Sequence, residues 1–194
     1  SSGISGTVDS ALMAQKHLSD IPLHVVDSKS TSAGLALLVK ALVGARSQGK
    51  SPAEMISLAD KIVKTMGIFF MVDTMEYLYK GGRIGGASRF LGGALDIKPI
   101  LYLTEEGKID ALEKVRTKKK AVQRIIDLAV AKAAGQPARV GVIHARALAD
   151  AEMIKQELSG RMDCVELDIY ELSPVVGTHV GPGTLGIAVH TVAY

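Results

Sequence analysis

Gly177-Thr178-His179-Val180-Gly181-Pro182-Gly183-Thr184-Leu185-Gly186 decides how this chain is read. Its last six residues match G-x-G-x-x-G letter for letter. That pattern marks a dinucleotide site only where a helix follows, with an acid about 20 residues on. Here the apolar run Leu185–Val189 reads as a strand, so the match is accidental. Four glycines and a proline still give the stretch a defined shape, with bare N–H groups that can point at an anion. His179 adds a hydrogen bond or, when protonated, a charge. Two readings stand: an anion-contacting loop, or a tight connection between strands in which His179 fills space.

Working outward, the second half of the chain mixes a hairpin with crossover units. Val140–His144 and Val165–Tyr170 read as strands around a helix over Leu148–Leu158. Ile97–Leu103 and Lys108–Val115 form a hairpin across Thr104-Glu105-Glu106-Gly107. Thr117 caps a helix running to about Ala134, with Ala121, Ile125, Leu128 and Ala129 as its buried stripe. The basic cluster from Lys114 to Arg124 sets lysines in that helix's first turn against the dipole, a weak hint that something negative docks there. Lys80-Gly81-Gly82-Arg83-Ile84-Gly85-Gly86 is a glycine-rich loop around one guanidinium, the group suited to forked recognition of carboxylate or phosphate. A short helix over Ala87–Leu95 follows it.

The first half reads as helix, strand, helix, helix and strand: Val8–Leu18, Leu23–Val26, Thr31–Gln48, Pro52–Met66 after the cap Ser51, and Ile68–Val72. Ser1-Ser2-Gly3-Ile4-Ser5-Gly6-Thr7 is a hydroxyl- and glycine-rich turn before the first helix, with Thr7 or Ser5 as cap, and such a turn suits an anion. The fold class expected is α/β in two domains. Residues 1–66 form the C-terminal part of a parallel-sheet, Rossmann-like domain, and residues 67–194 form an α+β domain with a mixed or antiparallel sheet flanked by helices.

Composition narrows the function classes. Hydrophobic residues are 47% and charged residues 22% of 194, an ordinary globular balance. A net charge of +3 does not argue for nucleic acid, and three Phe and five Tyr are too few and scattered for stacking platforms. The single Cys164 fits a reducing cytoplasm, and no apolar run reaches bilayer length. His17 and His24 stand apart from any metal-ligand spacing. No Walker A loop, H-E-x-x-H, C-x-x-C or G-x-S-x-G is present, so no metal, cofactor or catalytic residue is expected. A Ser/His acyl-ester hydrolase using His179 as base, and a regulatory module binding polyanions through Lys114–Arg124, remain as alternatives.

Four segments together resemble the DegV family: residues 1–7, Glu76-Tyr77-Leu78-Tyr79-Lys80-Gly81-Gly82-Arg83-Ile84, Asp96-Ile97-Lys98-Pro99-Ile100-Leu101 with Gly107-Lys108 and Lys114-Val115-Arg116, and Gly177–Thr184. The resemblance implies a non-catalytic protein that buries a long-chain fatty acid in a tunnel between domains. It implies a carrier subunit that presents the acyl carboxylate to a separate ATP-binding fatty acid kinase subunit in the cytoplasm of a bacterium. By that match Ser2 or Ser5, with His179, holds the carboxylate, while Arg83 and Arg116 face the partner and the arriving phosphate. It implies no cofactor beyond the bound fatty acid, no nucleic acid and no transmembrane segment, and it leaves room for transient membrane-surface contact. Set against that family, the chain lacks roughly 80 N-terminal residues, which include another hydroxyl head-group contact.

Overall fold

Gly67–Met71 (β1) is a continuous apolar run because both of its faces are covered. Ile68 and Phe70 pack into one core and Met71 into another on the opposite side. The computed structural model describes residues 1–18, 20–91 and 97–192, and among them β1 sits inside one six-stranded sheet. The other strands are Lys98–Leu103 (β2), Ile109–Val115 (β3), Ala138–His144 (β4), Cys164–Glu171 (β5) and Leu185–Thr191 (β6). Their order is β3-β2-β1-β6-β4-β5, and every pair is antiparallel except β4–β5. The expected mixed sheet is therefore what forms, and the hairpin turns at Gly107, whose φ is +74°.

Helices cover both faces. Lys118–Ala133 (α5) and Leu148–Arg161 (α6) bury Ala121, Ile125, Ala129, Ile154 and Leu158 against one side. Thr117 caps α5 by accepting from the Lys120 N–H. The negative group that α5's basic start calls for is supplied within the fold, by Asp150 at 2.7 Å from Lys118.

On the other face lie Ser32–Ser47 (α2), Glu76–Lys80 (α4) and Pro174–Val180 (α7). Pro52–Thr65 (α3) opens with the expected Ser51 cap, closed as a reciprocal box with Glu54, and packs its Ala59 and Ile62 against Leu38 of α2. Thr7–His17 (α1) buries no residue.

Four expectations are corrected. Leu23–Val26 is not a strand: no neighbouring strand among the described residues pairs with it, and the Leu23 carbonyl accepts from the Gln15 side chain instead. The cap of α1 is Gly6, with no side-chain capping bond, because the Ser5 hydroxyl turns toward Thr7. Gly177–Val180 is helical rather than loop, since Ser173 caps and Pro174 starts α7 just upstream. Of the helix expected over Ala87–Leu95, Gly85–Phe90 is a 3-10 turn, while residues 92–95 and Asp96 lie outside the described residues. His17 and His24 are exposed.

Burial at the centre of the sheet has a consequence for acid stability. His190 on β6 is fully buried, and this desolvation pushes its imidazole below the ordinary pKa, helped by the Arg139 charge and opposed by its bond with Thr191. The fold therefore holds the neutral ring, and the unfolded chain binds the extra proton. Stability is fully present above about pH 6.5 and declines as pH falls below it. Urea titrations at about pH 7.5 and pH 5.5 should give a lower midpoint at the acid value, with a shallower slope in His190→Gln.

Candidate functional site

The glycines of the last connection set the site's geometry. Gly181 ends α7 at φ +79°, a left-handed value that favours glycine, and a Cβ there would lie 2.4 Å from the Tyr77 ring. Gly183 donates its N–H to the Ala145 carbonyl, and the buried Thr184 hydroxyl reaches the carbonyls of Val180 and Gly181. The connection is thus tied at both ends, and His179 sits in the last turn of α7 with its ring held in place.

That ring lies against the glycine-rich loop. A Cβ on Gly81 would fall 2.3 Å from His179 Nδ1. Nδ1 itself is buried and makes no hydrogen bond. Any hydrogen bond from this ring to a further group would therefore use Nε2. No serine is hydrogen-bonded to His179 among the described residues, so a Ser/His pair is not assembled here. From the same loop, Arg83 donates Nε to the Ile4 carbonyl at 3.2 Å and Nη1 to the Gly81 carbonyl at 2.8 Å. One short stretch thereby joins the histidine to the serine segment.

That segment is itself anchored. The Ser1 hydroxyl donates to the Gly107 carbonyl at 2.8 Å, and a Cβ on Gly3 would sit 2.5 Å from the same oxygen. Ser2 is engaged away from the site, its N–H donating to Asp27 at 3.1 Å and its hydroxyl accepting from Lys29 at 2.9 Å. Burial would raise the Asp27 carboxyl, but the bonds from Lys29 and Ser2 prevail and hold it well below the usual carboxylate range.

These elements enclose a cavity of about 270 Å³ above the sheet. Ile68 and Phe70 of β1, Ile109 of β3 and Ile143 of β4 give it an apolar floor, with Val175 and Val176 of α7 beside them. Polar groups enter from Ser5, Arg83, His179, Thr184, Thr31 and Ser32. A second hollow of about 290 Å³ shares Ile4, Ser5, Arg83 and Ile109 with it and adds Gly3, Gly6 and Lys108. The chemistry is that of an apolar slot whose rim offers hydroxyls, an imidazole and a guanidinium, a combination suited to an amphiphilic anion. A larger hollow of about 640 Å³ beside Gly67 carries Lys64 and Lys132 and none of the expected site residues.

Of the residues expected from the sequence, Ser5, Arg83 and His179 come together at the cavity, and Ser2 and Arg116 do not line it. Arg116 is exposed and follows β3 at the end opposite to Ile109, roughly 20 Å away along an extended chain. Thr31 and Ser32 line the cavity without having been singled out, although Ser28–Ser32 holds four hydroxyl residues in five positions. Half of the Lys114–Arg124 cluster is committed internally: Lys114 stacks over Phe90, Lys118 pairs with Asp150 and Arg124 pairs with Glu113. Among the described residues no group of acids, His or Cys could hold a metal, and no helix is long and apolar enough to cross a membrane.

Comparison with known proteins bears on this geometry. The family profile described as "Uncharacterised protein, DegV family" matches residues 1–192. The chain belongs to the DegV family. Among its DegV relatives, Protein DegV of Bacillus subtilis is 39% identical over 189 residues, covering 96% of this chain and 67% of the relative. A DegV domain-containing protein of Streptomyces coelicolor is 37% identical over 193 residues, covering 97% of this chain and 67% of the relative. This DegV chain therefore spans about two thirds of the length of those relatives.

Solved DegV structures superpose closely. One from Thermus thermophilus, a DegV family protein described for its fatty acid binding, aligns with a TM-score of 0.92 at 32% identity over 99% of this chain and 69% of that one. DegV of Bacillus subtilis, described as a fatty acid binding protein, aligns with a TM-score of 0.87 at 35% identity, covering 98% and 68%.

Proposed function

We propose that this chain binds a long-chain fatty acid in the cavity above the sheet and presents its carboxylate to a separate ATP-binding kinase subunit. The observation that carries the reading is the gathering of Ser5, Arg83 and His179 around one apolar cavity. An alkyl chain has Ile68, Phe70, Ile109 and Ile143 to lie on, each methylene contributing about 0.8 kcal/mol when buried. The fatty acid binding of the Thermus and Bacillus DegV proteins supports the choice of ligand.

Ser5 and His179 receive the carboxylate in this reading, and Ser2 supports them from behind through Lys29 and Asp27. Arg83 stands beside the carboxylate, where a guanidinium would steady a transferring phosphoryl group. Arg116 belongs instead to the surface offered to the partner. The chain supplies no nucleophile and no base of its own, and the phosphoryl donor is held by the kinase subunit.

Native mass spectrometry of the purified chain, followed by denaturation, tests the carrier role. The complex should shed a mass matching a long-chain fatty acid, and His179→Ala should retain markedly less of it. A chain that sheds nothing and takes up no palmitate when offered it overturns the reading. Arg83→Ala should keep the lipid while losing acyl phosphate formation with the kinase subunit; undiminished transfer would remove Arg83 from that role.

A further inference from the structure

Asp27–Ser32 runs beside the serine segment and delivers two hydroxyls to the cavity. It is laced there by the Ser1 nitrogen donating to the Ser30 carbonyl at 3.0 Å, by the Ser2 N–H on Asp27, and by Lys29 on the Ser2 hydroxyl. Its backbone is strained in two places: Lys29 and Ser32 both hold φ near +49°, a left-handed value that L residues with a Cβ adopt at a cost. The turn ends at the start of α2, a 16-residue helix, with Thr31 as N-cap.

Thr31 makes no side-chain capping bond, so its hydroxyl is not spent on the helix. Ser30 is 2% exposed, and its hydroxyl oxygen has no hydrogen-bond partner. That oxygen lies against the first turn of the helix, next to the position a Cβ on Gly34 would take. The same Gly34 position abuts Ile68, a floor residue of the cavity. The Gly34 N–H turns back to the Thr31 carbonyl at 3.1 Å, so what this helix start offers the cavity is the Thr31 and Ser32 hydroxyls, with the unpartnered Ser30 hydroxyl buried behind them. Ser32, the first helical residue, combines this positive φ with a place in the cavity wall.

We infer that the N-terminus of α2, through the hydroxyls of Thr31 and Ser32 with Ser30 behind them, is a second set of carboxylate-binding groups in the cavity. This rests on the fatty acid carrier reading and adds to it. The carboxylate is then held from two walls, by Ser5 and His179 on one and by the start of α2 on the other. A carboxylate has two oxygens and about four lone-pair sites, enough for both sets. The favourable end of the helix dipole adds to the preference for the ionised head group over an uncharged one.

The test compares palmitate with hexadecanol, which fill the same apolar slot but differ in the charged head group. Both are titrated by displacement of a fluorescent fatty acid, on the unaltered chain and on Ser32→Gly. Glycine accepts a positive φ, so this variant should unfold at a temperature no lower than the unaltered chain. Palmitate affinity should fall roughly tenfold, the loss of one charge-assisted hydrogen bond, while hexadecanol affinity stays the same. Thr31→Val should act in the same direction. Unchanged palmitate affinity in both variants, or an equal fall for palmitate and hexadecanol, overturns the inference and leaves the carrier role standing. Binding of neither ligand by the unaltered chain overturns the carrier role and this inference with it.

Discussion

Gly141→Val should destabilise the protein by roughly 3 kcal/mol, the upper part of the range for forcing a side chain into a filled core. For a chain of this size that is a fall of about 10 °C in the unfolding midpoint. Gly141 lies in the middle of β4, directly beneath α2. A Cβ there would stand 2.6 Å from the Cβ of Ala33 and 3.1 Å from the Tyr170 ring. Ala33 is fully buried and has no rotamer by which to withdraw, so the helix itself must lift. Ser32 is next in sequence to Ala33, and the cavity wall moves with it. Thermal and urea unfolding measure the stability, and palmitate titration measures the wall. Gly160→Ala on α6 is the matched control. Nothing lies within 4 Å of the added methyl, and the exchange should leave stability equal or raise it by up to about 1 kcal/mol. A Gly141→Val protein that unfolds with Gly160→Ala would show that α2 does not rest on the sheet at this point.

Gly81→Val should weaken palmitate binding by at least about tenfold with a smaller effect on stability, because its nearest collision is with the ring of His179, the Tyr77 carbonyl coming next at 2.9 Å, and not with the core. Gly81 has an ordinary φ of −76°, so the backbone does not demand glycine there. The space does, since the new Cβ would lie 2.3 Å from Nδ1. The imidazole must turn away from its present position at the cavity. Gly82→Ala separates this effect from mere disturbance of the loop. Gly82 holds φ +67° with no atom within 4 Å, so alanine strains the backbone without touching His179. Reduced stability with intact palmitate affinity is the expected result for Gly82→Ala. Intact affinity in Gly81→Val would mean that the ring's position does not matter for the ligand.

Much of the architecture was readable because its signals are local. Ser51-Pro52 announces a helix start, Thr117 another, and Gly107 a hairpin turn, and each stands where those residues require. Ser173-Pro174 carries the same signal as Ser51-Pro52, yet the glycines after it drew the reading toward a loop, and α7 was missed. Leu23–Val26 has strand composition, but a strand exists only by pairing, and composition says nothing of a neighbour.

The site divides in the same way. His179 and Arg83 stand out because glycines surround them, and the structure brings both to one cavity. Choosing between Ser2 and Ser5 needs the path of a tight turn, which depends on Asp27 and Lys29 more than 20 residues away. Thr31 and Ser32 were hidden for a different reason. A hydroxyl at a helix start reads as an ordinary cap, and only the absent capping bond and the positive φ of Ser32 reveal another use.

The central place of β6 governs when this protein can first function. The strand nearest the C-terminus lies between β1 and β4, pairing Gly67 with Val189 and Ala138 with Thr191. Synthesis proceeds from the other end, so the ribosome releases the β1-β2-β3 meander and the β4-β5 pair as two separate pieces. Ile68, Phe70 and Ile109 then belong to one piece and Ile143 to the other, and no cavity floor exists. Both pieces expose an apolar edge until β6 emerges and zips them together, the interval in which a nascent chain most needs a chaperone. Closure of the cavity thereby waits on β6, and a ribosome stalled before Leu185 would hold a chain whose cavity floor is still in two pieces.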